Sequence, residues 1–173
     1  MAIKGKAYTK TTWAFQERPV ASSKLNLWDD RIENALEQVY FLLNLAWGGG
    51  NGVLRGTADG ELEVIPTNPH SLRVRIQPGW AFISNTPFRL RAAVDSAALS
   101  PPSQLPRKDL VQANLETWDI SIKTGVEASA PICPTPDHDS IPLAQVYLRP
   151  GMGVIRQQDD LTNGYIIDAR TFI

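Results

Sequence analysis

Ser22-Ser-Lys-Leu25-Asn-Leu-Trp28-Asp-Asp-Arg-Ile32-Glu-Asn-Ala35-Leu-Glu-Gln-Val39-Tyr-Phe-Leu42-Leu-Asn-Leu-Ala46-Trp-Gly48-Gly-Gly50 is the stretch with a sustained helical period. Leu25, Trp28, Ile32, Ala35, Val39, Leu42 and Ala46 alternate spacings of three and four, a heptad seam across three repeats. A second row, Leu36, Tyr40, Leu43 and Trp47, runs beside the first. The spacing predicts an oligomerising helix over 23–47, started by a Ser22 or Ser23 cap and stopped by the glycine triplet. Asp29, Asp30 and Glu33 fall in its early turns, where carboxylates suit the positive end of the helix dipole. Two apolar stripes on one helix ask for two coverings, the chain's own body and neighbouring copies around a symmetry axis.

On the N-terminal side, residues 1–22 scatter Ile3, Tyr8, Trp13, Phe15 and Val20 among Lys, Thr and Gly with no period of 2 or 3.6. They read as an extended arm. Because solvated tails are poor in such aromatics, Trp13 and Phe15 are expected to dock on a partner protein.

On the C-terminal side, 48–173 turns to short alternating runs bounded by Pro, Gly, Asn and Asp, a β-rich body. Leu72, Val74 and Ile76 alternate with Arg73, Arg75 and Gln77, Phe88 and Leu90 with Arg89 and Arg91, and Ile120 and Ile122 with Asp119, Ser121 and Lys123. Leu62 and Val64 between Glu61 and Glu63 extend the pattern. The proline-rich segments 100–108 and 130–140 read as long loops, since proline cannot donate into a ladder. The expected fold is mainly β, a sandwich or small barrel, with one long N-terminal α-helix and an extended arm.

Composition removes several functions. The chain has 173 residues, 43% of them hydrophobic, enough for a core. Seventeen Lys and Arg against 18 Asp and Glu leave no basic excess to neutralise phosphates, so no nucleic-acid partner is expected. No apolar run nears the ~18 residues of a membrane span, and no signal-peptide pattern opens the chain, so no membrane partner is expected either. Cys133 is the sole cysteine, which excludes an intrachain disulfide and a Cys-based zinc site and suits a reducing place of assembly.

Chemistry-bearing residues are sparse. Asp29-Asp30 and Asp159-Asp160 are adjacent pairs, whereas glycoside hydrolysis needs two carboxylates facing one another across a bond; the helix dipole and a turn explain them better. Asp137-His138-Asp139 holds metal-donor types, but the other histidine, His70, lies in a turn-like Asn-Pro-His-Ser, so a solvated loop is favoured. Hairpin pairing would gather Arg73, Arg75, Arg89 and Arg91 into a face for an anionic partner, against the plainer reading of cross-strand pairing with Glu61 and Glu63. Trp28 and Trp47 fit the helix, and Trp80 and Trp118 fit strands, as core packing. There is no phosphate loop, nucleophile elbow or Cys/His dyad. No catalytic residue, cofactor or metal is expected.

Three stretches carry a resemblance: Thr11-Thr-Trp-Ala-Phe15 through Ser22-Ser-Lys-Leu-Asn26, Val74-Arg-Ile-Gln-Pro-Gly-Trp-Ala-Phe-Ile83, and Ile141-Pro-Leu-Ala-Gln-Val-Tyr-Leu148, with Asp168-Ala-Arg170 near the end. Together they resemble tailed-bacteriophage virion structural proteins, the tail and baseplate proteins and fibre-anchoring N-terminal modules. The resemblance implies a non-enzymatic homotrimer that joins other virion proteins through its arm, is assembled in the host bacterial cytoplasm and resides in the virion. The absence of a long repetitive shaft after the body favours a connector or fibre-adaptor role. The alternatives are a receptor- or carbohydrate-binding module and a capsid decoration protein.

Overall fold

The structure, a computed structural model, describes residues 21–56 and 60–173. The chain divides into two compact units, Met1–Gly49 and Gly50–Ile173.

In the first unit the described residues form α1, Ser22–Ala46, about 37 Å long at 1.5 Å per residue. Its start differs from the serine-capped one expected. Ala21 is the N-cap residue and no side chain caps the turn; the N–H groups of Lys24 and Leu25 are met by the Ala21 carbonyl. Its end follows from the glycines. Gly48, Gly49 and Gly50 hold φ of 98°, 75° and 92°, a region that L side chains resist, and the Gly49 N–H turns back to the Asn44 carbonyl at 2.9 Å.

The second unit is built of short strands: β1 Gly52–Val53, β2 Val64–Pro66, β3 Val74–Ile76, β4 Gly79–Ile83, β5 Thr86–Leu90, β6 Val94–Asp95, β7 Arg107–Asn114, β8 Asp119–Lys123, β9 Ser140–Leu148, β10 Ile155–Arg156 and β11 Gly164–Asp168. They form a five-stranded sheet ordered β10-β11-β9-β7-β8 and two three-stranded sheets, β1-β4-β5 and β2-β3-β6. Side chains from all three sheets share one core, among them Val53, Val74, Ile76, Ile83, Phe88, Val111, Leu143 and Ile155. The mainly β architecture with one long helix agrees with the alternating pattern of the sequence.

Two strands absent from the sequence reading, β7 and β9, are the longest and pair along their whole length. β9 holds Pro142, which has no N–H to donate. The ladder accommodates it with a register shift: Val111 pairs with Ala144 while Gln112 pairs with Pro142, so Leu143 is the extra residue of a bulge. Burial along β9 changes phase there, with Leu143 and Ala144 both buried. The freed Leu143 carbonyl accepts the Ala169 N–H at 3.1 Å.

Glu61 and Leu62 are not part of a strand. Both have left-handed backbone, φ 53° and 54°, and β2 begins only at Val64. The turn they form packs against Gly79, where an added Cβ would lie 2.5 Å from the Leu62 nitrogen. The chain end closes the unit: the Val53 N–H donates to the Thr171 carbonyl at 2.8 Å and the Ile173 N–H to the Val53 carbonyl at 3.1 Å.

Candidate functional site

Along α1 the heptad seam remains accessible. Leu25, Trp28, Ile32, Val39 and Leu42 are 37–60% exposed, Ala46 is exposed and Ala35 half-buried. Leu36, Leu43 and Trp47 of the second row are exposed as well. Helical apolar side chains normally face a core, so an exposed stripe of this extent departs from the usual pattern. Trp13 and Phe15 lie outside the described residues.

The four arginines do not form the face that hairpin pairing would gather. β3 and β5 belong to different sheets, because β5 pairs with β4 and not with β3. Arg75 pairs instead with its direct cross-strand neighbour Asp95 on β6, through Nε at 2.6 Å and a second nitrogen at 2.9 Å. That fork holds the Asp95 carboxyl below its usual range. Arg73 donates to the Ser96 carbonyl at 2.9 Å. Arg89 lies over the ring of Trp80, directly opposite it on β4, at 4.5 Å. Arg91 is exposed beyond the end of β5. The ion partner is thus Asp95, while the Glu61 carboxylate accepts the Gly56 N–H at 2.8 Å.

Asp159, Asp160 and Asp137 are engaged structurally. Asp159 pairs with Arg149 at 2.9 Å and Asp160 with Arg156 at 2.8 Å, while Asp160 also accepts the N–H groups of Thr162 and Asn163. Asp137 ties its loop to the sheet. Its N–H donates to the Gln112 side-chain oxygen at 3.0 Å, and its carboxylate receives the Gln112 amide and the Lys123 ammonium. His70 bonds the Thr67 carbonyl in its own turn at 3.0 Å. Asp168 and Arg170 form a bidentate pair, and Arg170 reaches on to the Glu61 carbonyl at 2.9 Å. The terminal Asp-x-Arg is therefore a brace between the chain end and the turn before β2. Among the described residues no three His, Cys, Asp or Glu side chains converge as metal donors, and no helix is long and apolar enough to cross a membrane.

A feature missing from the sequence reading lies where three loops meet. Trp118, expected on a strand, occupies the β7–β8 turn with φ 53° and is 59% exposed. Its ring stacks toward Phe88, centroids 6.3 Å apart, and Phe88 is wholly buried. The same turn is bound to the loop before β9 by the Leu115 N–H to the Asp139 carbonyl, 2.9 Å. Asp139 in turn accepts the Ser84 hydroxyl of the β4–β5 turn at 2.5 Å. Only the polar flanks Glu116-Thr117 and Asp119 hinted that this tryptophan faces water.

Comparison of the chain with protein-family models, with curated proteins and with solved structures gives no match.

Proposed function

We propose that the protein is a non-enzymatic structural component of a tailed-phage virion, a tail, baseplate or fibre-adaptor subunit that assembles through α1, with a trimer favoured. The observation that carries this reading is the seam itself: five of its seven residues are large apolar side chains 37–60% exposed on one helix. Three helices packed knobs-into-holes would cover both apolar rows at once, since each helix of a trimer meets two neighbours. The arm, 1–22, with Trp13 and Phe15 extends this scheme to a neighbouring virion protein, and the β body, a sandwich or small barrel around the core shared by its three sheets, offers a surface to the assembly. The virion assignment rests on the sequence resemblance, the assembly on the helix.

Light scattering of the purified full chain at micromolar concentration tests the assembly. A mass three times that of the 19.1 kDa chain is expected, a twofold mass would replace the trimer by a dimer, and a monomer would overturn the reading. Electron microscopy of particles with the subunit labelled tests the virion assignment.

A further inference from the structure

We propose that the Trp118 end of the β body binds an uncharged pyranose saccharide, the indole giving a stacking platform and the surrounding loops the hydroxyl partners. A sugar ring has one face of C–H groups and a periphery of hydroxyls. A site for it therefore needs a flat apolar surface at the centre and short polar side chains around it. Trp118 supplies the surface: it is 59% exposed, yet fixed from below by the buried Phe88 ring at an interplanar angle of 17°. A bulky residue at φ 53° is a genuine outlier, and such strain concentrates where a side chain must be presented in one orientation.

The periphery comes from the neighbouring turns. Ser84 and Asn85, both left-handed, make the β4–β5 turn, and the Asn51 side chain fixes it by accepting the Ser84 N–H at 2.8 Å. Asp139 joins this turn to the third loop through Ser84 and contacts His138 Nδ1 at 3.0 Å, while the His138 side chain itself is 94% exposed. These carboxylate, hydroxyl, amide and imidazole groups are the donors and acceptors that hydroxyls require.

Two observations choose this ligand over others. Among the described residues no other large apolar side chain is exposed on the β4–β5 and β7–β8 turns or at 137–139, the exposed Val126 and Ile132 lying earlier in the loop before β9, whereas the anchor of a protein interface sits within an apolar patch. Glu116 and Asp119 stand within two residues of Trp118 in the chain, and Asp139 is tied to the same turn through the Leu115 N–H, which disfavours uronic and sialic acids by like charge. A face of four arginines would have selected those acidic sugars, but Arg75, Arg73 and Arg89 are engaged by Asp95, Ser96 and Trp80.

The test is a glycan array carrying neutral gluco-, galacto- and manno-oligosaccharides beside sialylated and uronic ones, probed with the labelled full chain. Retention on neutral spots is expected, with Trp118→Ala weaker by about tenfold or more, the equivalent of about 1.4 kcal/mol, and Trp118→Phe intermediate. Since Trp118→Ala also uncovers Phe88, a second readout uses the unaltered protein: adding a neutral oligosaccharide held on the array should shift the Trp118 indole N–H resonance more than those of the other four tryptophans. Absence of neutral-glycan retention, retention unchanged in folded Trp118→Ala, or a Trp118→Ala variant whose only change is a smaller assembly mass would each overturn the proposal. The last outcome would make Trp118 a contact between copies. The seam variants described below report on assembly separately.

Discussion

Strand β7 and helix α1 break the usual rule of burial in opposite directions. β7 takes polar side chains inside: Asp109, Gln112 and Asn114 are at most 8% exposed. Each is met from within the chain. Asp109 receives the Arg107 fork and the Gly125 N–H at 2.9 Å, Gln112 holds Asp137, and Asn114 joins Ser140 and the Thr117 N–H. α1 leaves apolar side chains outside, from Leu25 to Leu45. A buried polar group without a partner is costly, so β7 is complete only because its loops are folded upon it. The body answers its exceptions from within the chain, whereas the helix keeps its apolar side chains exposed.

The contrast breaks most sharply if the helix is altered. Ile32→Asp with Val39→Asp should reduce the assembly to single chains in light scattering while leaving the β signal of circular dichroism intact, since a charge enclosed in a packed seam costs several kcal/mol. An unchanged mass would mean that the seam is not the assembly surface.

In the body the effect should be one of stability. Gln112→Ala removes a 1%-exposed side chain and orphans the Asp137 N–H, so a loss of about 2–4 kcal/mol in denaturant unfolding is expected. Gly125→Ala should follow at about 1–3 kcal/mol, because its Cβ would meet the Lys108 carbonyl oxygen at 2.1 Å, backbone that cannot move aside without disturbing β7. Neither substitution should change the assembly mass. If either does, the two regions are not independent.

The smallest effect concerns pH. The Glu127 carboxylate accepts the N–H groups of Ser103, Gln104 and Leu105, which pull its pKa from 4.5 to about 2. A carboxyl with a depressed folded pKa contributes stability above its unfolded value, and that contribution is lost as pH falls through the folded one. Hydrogen exchange at those three amides, compared with neighbouring amides to remove the intrinsic pH dependence, should gain relative rate as pH drops from about 4.5 towards 2. Glu127→Gln should abolish the change.

How much of this could be read beforehand depends on how local the cause is. The helix ends at its glycines and β3, β5 and β8 show their alternation because period and turn chemistry are properties of adjacent residues. β7 was illegible because Asp109, Gln112 and Asn114 look like surface residues until loops 124–139 and 115–117 return to meet them. β9 was concealed by Pro142, whose bulge is visible only in the pairing register. The arginine face failed for a similar reason: alternation places Arg75 and Arg89 on polar positions, but sheet order decides their neighbours. Trp118 needed its backbone angle, which no pattern of residue types encodes.

The closure of the chain end on β1 has a topological consequence. Thr171 and Ile173 hold both backbone groups of Val53, so the β unit enters and leaves at a single point. A unit of this kind can be circularly permuted, its ends joined by a few residues and a new opening cut at an exposed tip such as Leu161, 83% exposed. By the same geometry it can be spliced whole into a surface loop of another protein without forcing that loop apart.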